Sequence, residues 1–205
     1  EERKAQVSES IRSQGVEDEE LYKKIDIALT LVEVEDLYRP YKPKRMTRAI
    51  IAVNKGLDPL AKLIYEQSET LNIEDEAKKY ISDAEGLEVE DEAAAIAGAL
   101  DIIAEQISDD AHYRSRIRKD TFEYGSLTSV AKDEEESSVY ENYYNYSELV
   151  KKCVSHRVLA INRGEKEKIL TVKIEAPQEE ILKFLESRII KNTNKKSSEL
   201  LRETI

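Results

Sequence analysis

Between residues 91 and 119 the chain carries a helical pattern strong enough to constrain everything around it. Ile96, Leu100, Ile103 and Ile107 recur at helical spacing, which stacks them on one face of a 3.6-residue turn. Ala93, Ala97 and Ala104 back that face and let neighbouring helices approach closely. A central helix with others packed around it is therefore expected. Charged residues make up 37% of the chain and there are only six Gly and four Pro in 205 residues, a balance that favours long solvated helices over loop-rich β architecture.

The remaining segments extend this mainly α reading. Residues 1–14 suit a helix with Ala5, Val7 and Ile11 as sparse apolar positions, and Gly15 suits its end. A second helix is expected over residues 18–36, with Leu21, Ile25, Ala28 and Val32 as one buried stripe and Leu29, Leu31 and Val34 widening it. Thr47 can cap a helix through Asn54, Gly56 can end it in the left-handed region, and Asp58 can cap the next with Pro59 at its first position. Helix, glycine turn and helix give a helix-turn-helix outline, with Leu60, Leu63 and Ile64 facing inward.

A small acidic helix is expected over 73–84, and the central helix should run to about Lys119. After Gly125, SLTSVA and ILTVKI read as two strands of a small ribbon, the second following a turn at Arg163, Gly164 and Glu165. Ser155 can cap a helix through Asn162. From Pro177 a further helix carries Ile181, Leu182, Leu185 and Ile189, and a polar break over 191–198 precedes the end. The expected fold is mainly α, a multi-helix scaffold with a helix-turn-helix-like part and a small two-stranded β ribbon. Its expected divisions are an N-terminal helical arm over 1–36, a helical core with the ribbon over 37–190, and the start of a linker helix over 191–205.

Charge is the main guide to function. The net charge is −11, which disfavours a general nucleic-acid coat because phosphate binding needs concentrated cations. Its distribution qualifies that conclusion: residues 37–62 carry seven basic and one acidic side chain, whereas residues 63–150 carry seven basic and twenty-three acidic. The basic island contains Arg39, Lys42, Lys44, Arg45 and Arg48. Pro40 and Pro43 hold this segment in semi-rigid extended geometry, so these five are the candidate residues for nucleic-acid or partner binding. The alternative is that they pair with the acidic helices beside them.

Other chemistry is poorly supported. Cys153 and His156 are three residues apart, but with one cysteine and two histidines in the chain they supply too few ligands for a thiolate metal site and no enclosed pocket for nucleophilic catalysis. Tyr140, Tyr143, Tyr144 and Tyr146 could stack bases but suit a structural cluster better. Asp109, Asp110 and the acids over 133–136 read as solvated surface. In the helix after Gly56 only Lys62 is available near the start to read a major groove, so that pair reads as a packing unit. No enzyme, metal, cofactor or small-molecule substrate is expected. No apolar run is long enough to span a bilayer, and the lone cysteine fits a reducing compartment, so a cytoplasmic protein without membrane contact is expected. The opening EERKAQV lacks an initiating Met and reads as the middle of a helix, which suggests a piece of a longer polypeptide.

Three ordered blocks carry a resemblance. They are EDLYRPYKPKRMTRAIIAVNKGLDPLA (35–61), EAAAIAGALDIIAEQISDDAHYRSRIR (92–118) and YNYSELVKKCVSHRVLAINRGEKEKILTVKI (144–174). Together they closely resemble the N-terminal region of the Tex-like family of bacterial transcription accessory proteins. The resemblance implies a cytoplasmic transcription factor whose helical N-terminal region precedes an RNase H-like domain without a working nuclease centre, helix-hairpin-helix elements and an OB-fold RNA-binding domain. On that reading this chain is a scaffold and docking region. Nucleic acid, chiefly RNA, is bound mainly by domains outside it, and proteins of the transcription machinery are further partners. The alternative is a protein-protein interaction module that never touches nucleic acid.

Overall fold

The computed structural model describes residues 1–133, 135 and 137–205. The chain forms two compact units, one built from Glu1–Ser115 and Leu182–Ile205, the other from Arg116–Ile181. The fold is mainly α with a small antiparallel sheet.

The first unit opens with α1 (Glu2–Arg12), α2 (Glu19–Ile27) and α3 (Leu31–Tyr38). Val7, Ile11, Leu21, Ile25, Ala28, Val34 and Tyr38 form their shared core, and Gly15 turns the chain at φ +78°. The single helix expected over 18–36 is broken. Ala28 leaves the helical region at ψ 131°, and Thr30 restarts it with a capping box: Thr30 Oγ1 accepts from the Glu33 N–H at 3.3 Å while Glu33 Oε2 accepts from Leu29 and Thr30 N–H groups at 2.7 and 3.2 Å. Reciprocal capping satisfies donors that a helix start leaves open. The break resets the phase of the stripe, so Val34 and Tyr38 turn inward whereas Leu29 is 93% exposed and Leu31 and Val32 face solvent.

The centre of this unit is α7 (Glu92–Asp109), against which α4 (Arg48–Asn54), α5 (Asp58–Glu66), α6 (Ile73–Ala77) and α11 (Lys195–Thr204) pack. Thr47 Oγ1 accepts from the Ile50 N–H at 3.1 Å, and Gly56 at φ +77° makes the turn, both as expected. Leu57 occupies the cap of α5 and Asp58 is already helical, so the helix starts one residue earlier than the capping role assigned to Asp58 implies. On α7 the buried apolar positions are Ala95, Ala99, Ile102 and Ile103, with Ile96, Leu100 and Ile107 half-buried. The stripe is therefore rotated from the one expected, because helices lie against the small residues. Gly98 marks the closest approach: a Cβ there would sit 2.4 Å from Leu57 Cδ1.

The long helix also ends earlier than expected. Asp110 Oδ1 accepts from the Tyr113 N–H at 2.9 Å, capping a separate α8 (Ala111–Tyr124). The polar break at 191–198 is likewise shorter. After α10 (Gln178–Ile189), Asn194 caps α11 by accepting from the Ser197 N–H at 3.0 Å, and Ser197 and Ser198 are buried. A junction links this stretch to residues 67–71. Gln67, buried at φ 53°, donates to the Ile189 carbonyl at 2.8 Å and accepts from the Lys191 N–H at 2.9 Å. Asn194 donates to the Ser68 and Leu71 carbonyls at 2.9 and 3.0 Å.

In the second unit β1 (Ser126–Ala131), β2 (Asn145–Leu149) and β3 (Leu170–Glu175) form a sheet in the order β2-β1-β3, both pairs antiparallel. Pairing of β1 with β3 matches the expected ribbon, with Ser126 opposite Glu175 and Ala131 opposite Leu170. The ribbon gains a third strand, β2, whose residues read in sequence as part of an aromatic cluster. Helix α9 (Ser155–Lys166) packs on β3. Its Gly164 lies against Leu170, where a Cβ would be 2.7 Å from Leu170 Cδ1. The turn expected at 163–165 is thus inside a helix, and Lys168 at φ 64° makes the reversal instead. Val154, not Ser155, occupies the cap of α9, without a side-chain bond. Among the described residues no helix is long and apolar enough to cross a membrane.

Candidate functional site

The basic island lies between α3 and α4. A short 3-10 turn, Arg39–Tyr41, carries Pro40 near its start, and the chain then runs extended from Lys42 until Thr47 starts α4. Opposite it, α7 presents Asp101, Glu105 and Asp109, each four residues apart and so aligned on one face.

These two charge sets meet. Arg39 Nε donates to Asp109 Oδ1 at 2.8 Å. Lys44 Nζ donates to Glu105 Oε1 at 2.8 Å and also to Asp109 Oδ2. Arg48 Nη2 lies 3.4 Å from Asp101 Oδ1, and Lys42 Nζ 4.0 Å from Glu35 Oε2. Arg45 is exposed and forms no ion pair among the described residues. A second clamp, Arg114 Nε donating to Asp36 Oδ1 at 2.8 Å, holds the end of α3 to the start of α8.

Burial separates these contacts by strength. The Asp109 side chain is only 8% exposed, and a carboxylate removed from water requires cations and hydrogen bonds around it; Arg39 and Lys44 supply both. Burial pulls the Lys44 ammonium down, but its hydrogen bonds and charge attraction to Asp109 and Glu105 outweigh that and hold its pKa above the ordinary lysine value. By contrast the Arg48 side chain is 86% exposed, so its pairing is loose and solvent-screened. The result is a groove of about 560 Å³ between the elbow and α7. Arg39 and Lys44 anchor it, while Lys42, Arg45 and Arg48 project to water. Sequence reasoning named the five cations but read Asp109 and Asp110 as solvated. Asp109 is buried in the clamp and Asp110 caps α8. The available signal was the four-residue spacing of the acids on α7.

The other candidates take structural places. Tyr140 is buried and donates to Glu167 Oε1 at 2.9 Å. The Tyr143 and Tyr146 rings meet edge-on at 5.4 Å. Arg157 at the start of α9 donates to the Tyr146 hydroxyl at 3.2 Å and to Glu148, tying the helix to β2. The Cys153 thiol donates to the Leu149 carbonyl at 3.5 Å, and burial, reinforced by the charge of Glu148, pushes its pKa up, which is opposite to what a nucleophile needs. His156 is exposed. Among the described residues no group of three His, Cys, Asp or Glu side chains is placed to hold a metal ion. In the acidic loop over 133–136, residues 134 and 136 lie outside the described residues. Lys62 is exposed on α5, whose Leu60, Ala61 and Ile64 are buried.

Comparison with known proteins places this arrangement. A family model described as Tex central region-like matches residues 68–205. The uncharacterized protein YdcI of Bacillus subtilis is 47% identical over 206 residues, covering 99% of this chain and 28% of that protein. Protein YhgF of Escherichia coli is 37% identical over 179 residues, covering 86% and 23%. The transcriptional accessory protein Tex of Neisseria gonorrhoeae is 37% identical over 177 residues, covering 85% and 23%. The chain thus spans about a quarter of the length of these relatives. With two-thirds of its residues inside the matched model and near-complete alignment to a relative at 47% identity, the chain belongs to the Tex family.

Proposed function

We propose that the chain is a helical scaffold and docking region of a cytoplasmic transcription accessory protein. It braces neighbouring parts of a longer polypeptide and presents Lys42, Arg45 and Arg48 to a partner. The observation that carries this reading is the clamp: Lys44 bridges Glu105 and Asp109, which fixes the extended segment, while Arg45 is exposed and Lys42 and Arg48 make only long ion pairs, to Glu35 at 4.0 Å and to Asp101 at 3.4 Å. The region carries no catalysis, cofactor or metal in this reading. The α4–α5 pair is a helix-turn-helix in outline that packs rather than reads DNA. Nucleic acid, chiefly RNA, is contacted mainly by other parts of the protein, and components of the transcription machinery are its protein partners.

The test is charge reversal, Lys42→Glu with Arg45→Glu, in the full-length protein. Binding of RNA, DNA and core polymerase is followed by anisotropy across a salt series. Weaker binding with an unchanged melting curve supports docking, whereas unchanged affinity for all three at low salt removes it. A second reading, a module for protein partners alone, is favoured by the three carboxylates within the groove, since they oppose phosphate approach. Salt-sensitive binding of RNA or DNA to the 205-residue chain would exclude it.

A further inference from the structure

In the three-stranded sheet β3 is an edge strand, and its outer side is open. The Lys132 N–H donates to the Ile169 carbonyl at 2.9 Å, which sets the alternation of an antiparallel ladder. Thr171, Lys173 and Glu175 therefore turn their main-chain groups to β1, and Val172 and Ile174 turn theirs away from it. Among the described residues nothing bonds the main-chain groups of Val172 and Ile174 on that side. An edge of this kind is a template for another strand. The opposite edge is less free, because the Leu149 carbonyl at the end of β2 accepts from the Cys153 thiol.

The side chains of β3 divide between the two faces of the sheet. Leu170, Val172 and Ile174 share the face on which α9 packs, and their coverage is uneven. Leu170 is 1% exposed against Gly164, whereas Ile174 towards the other end is 61% exposed. On the opposite face Lys173 and Glu175 are both exposed and form no ion pair among the described residues. A lone charge on an exposed edge repels a second strand. This strand instead carries one charge of each sign, two residues apart.

We infer that β3 pairs edge to edge with β3 of a second copy of this chain, antiparallel about a two-fold axis at Ile174. The charges choose the register. An axis at Val172 sets Lys173 opposite Thr171 and Glu175 opposite Ile169, leaving both charges unmatched, and an axis at Lys173 sets like charges together. An axis at Ile174 sets Lys173 of each copy opposite Glu175 of the other, so that both charges of both strands are paired. In that register the exposed Ile174 meets Ile174 of the second copy, and Val172 bonds Ala176. Pro177 falls opposite Thr171 at a position that makes no bond between the strands, so its missing N–H costs nothing. The covered Leu170 ends point away from the axis, and the two α9 helices stand apart. Such a contact is isologous and closes at two copies. A uniformly acidic or basic peptide would match only one of the two charges, and a nucleic-acid strand would meet Glu175. The pairing is independent of the elbow and its cations.

The test is sedimentation equilibrium of the 205-residue chain from about 10 μM to 1 mM, the range expected of a contact between two short strands. A monomer to dimer equilibrium is expected. Lys173→Glu and Glu175→Lys each set like charges opposite one another at both pairs and should weaken the dimer roughly tenfold or more. Melting curves confirm that each variant folds. Mixing the two single variants in equal amounts makes every pair complementary again and should restore association, and the double variant should dimerise with itself as the wild type does. Ile174→Lys, which sets like charges at the axis, should abolish the dimer. A monomer at every concentration overturns the inference. So does a dimer indifferent to the single reversals or to Ile174→Lys, a mixture that stays monomeric, or growth beyond the dimer.

Discussion

Replacing Lys44 by Met tests whether the elbow is clamped or merely decorated with charges. The substitution keeps most of the apolar stem and removes the ammonium that bridges Glu105 and Asp109. Glu105 is 26% exposed and can turn to water, but Asp109 is 8% exposed and is left with Arg39 alone. Breaking a fully buried pair costs about 3–5 kcal/mol; because Arg39 remains, a loss of about 2 kcal/mol is expected, between that value and a single charged hydrogen bond. For a chain of this size that corresponds to a fall in Tm of about 4–8 °C. Arg48→Met should change stability by less than about 0.5 kcal/mol, since its partner is distant and its side chain solvated. Urea titration of Lys44→Met, Asp109→Asn and the double variant supplies the coupling, expected at about 1–2 kcal/mol. A single-variant loss below about 0.5 kcal/mol with no coupling would refute the clamp.

The pH dependence of that same pair has a defined sign. The folded pKa of Lys44 is raised, so its contribution is complete below the unfolded lysine value near about 10.4 and is lost as pH rises through the folded value. The stability gap between wild type and Lys44→Met should therefore stay constant through neutral pH and narrow in the alkaline range, as followed by urea titration. In Gly125→Ala a Cβ would sit 2.5 Å from the Thr121 carbonyl oxygen and 2.9 Å from that of Glu175. Both obstacles are main chain, so no rotamer relieves them, and destabilisation of about 1–3 kcal/mol is expected by calorimetry; a neutral result would contradict the packing there. Asn194→Ala removes a cap and two bonds to loop carbonyls and should cost about 2–4 kcal/mol. The exposed cap Asn72, which accepts from the Asp75 N–H at 3.2 Å, should cost only about 1 kcal/mol when changed to Ala; equal losses at the two sites would deny Asn194 its extra role.

What the sequence made legible is local chemistry. Thr47 and Gly56 announce the bounds of α4 because a cap and a left-handed turn each need particular residue types. The pairing of β1 with β3 follows from two alternating runs. Failures arise where two local signals conflict. At residues 28–33 the apolar letters continue through Leu29, Leu31 and Val32, and they mask the Thr30 to Glu33 capping box that breaks the helix. Strand β2 was hidden because Tyr146 and Glu148 form an Arg157-centred cluster as well as a sheet edge. The clamp was legible only in outline, as cations pairing with acidic helices. Arg39 and Lys44 meet Asp109 across 70 and 65 residues, and nothing in their local patterns selects that carboxylate over the others.

The Gln67 junction has a consequence for how the chain matures. Its amide meets Ile189, Lys191 and Ser198, partners 122 to 131 residues further on. During synthesis from the N-terminus the helices up to Ser115 emerge long before those partners exist, whereas residues 116–181 are contiguous and can close by themselves. Non-local closure is slow relative to local helix formation. The first unit should therefore complete last, with α11 as the piece that finishes it, and a nascent chain stopped before residue 189 should remain open to protease near Gln67 while the sheet unit already resists.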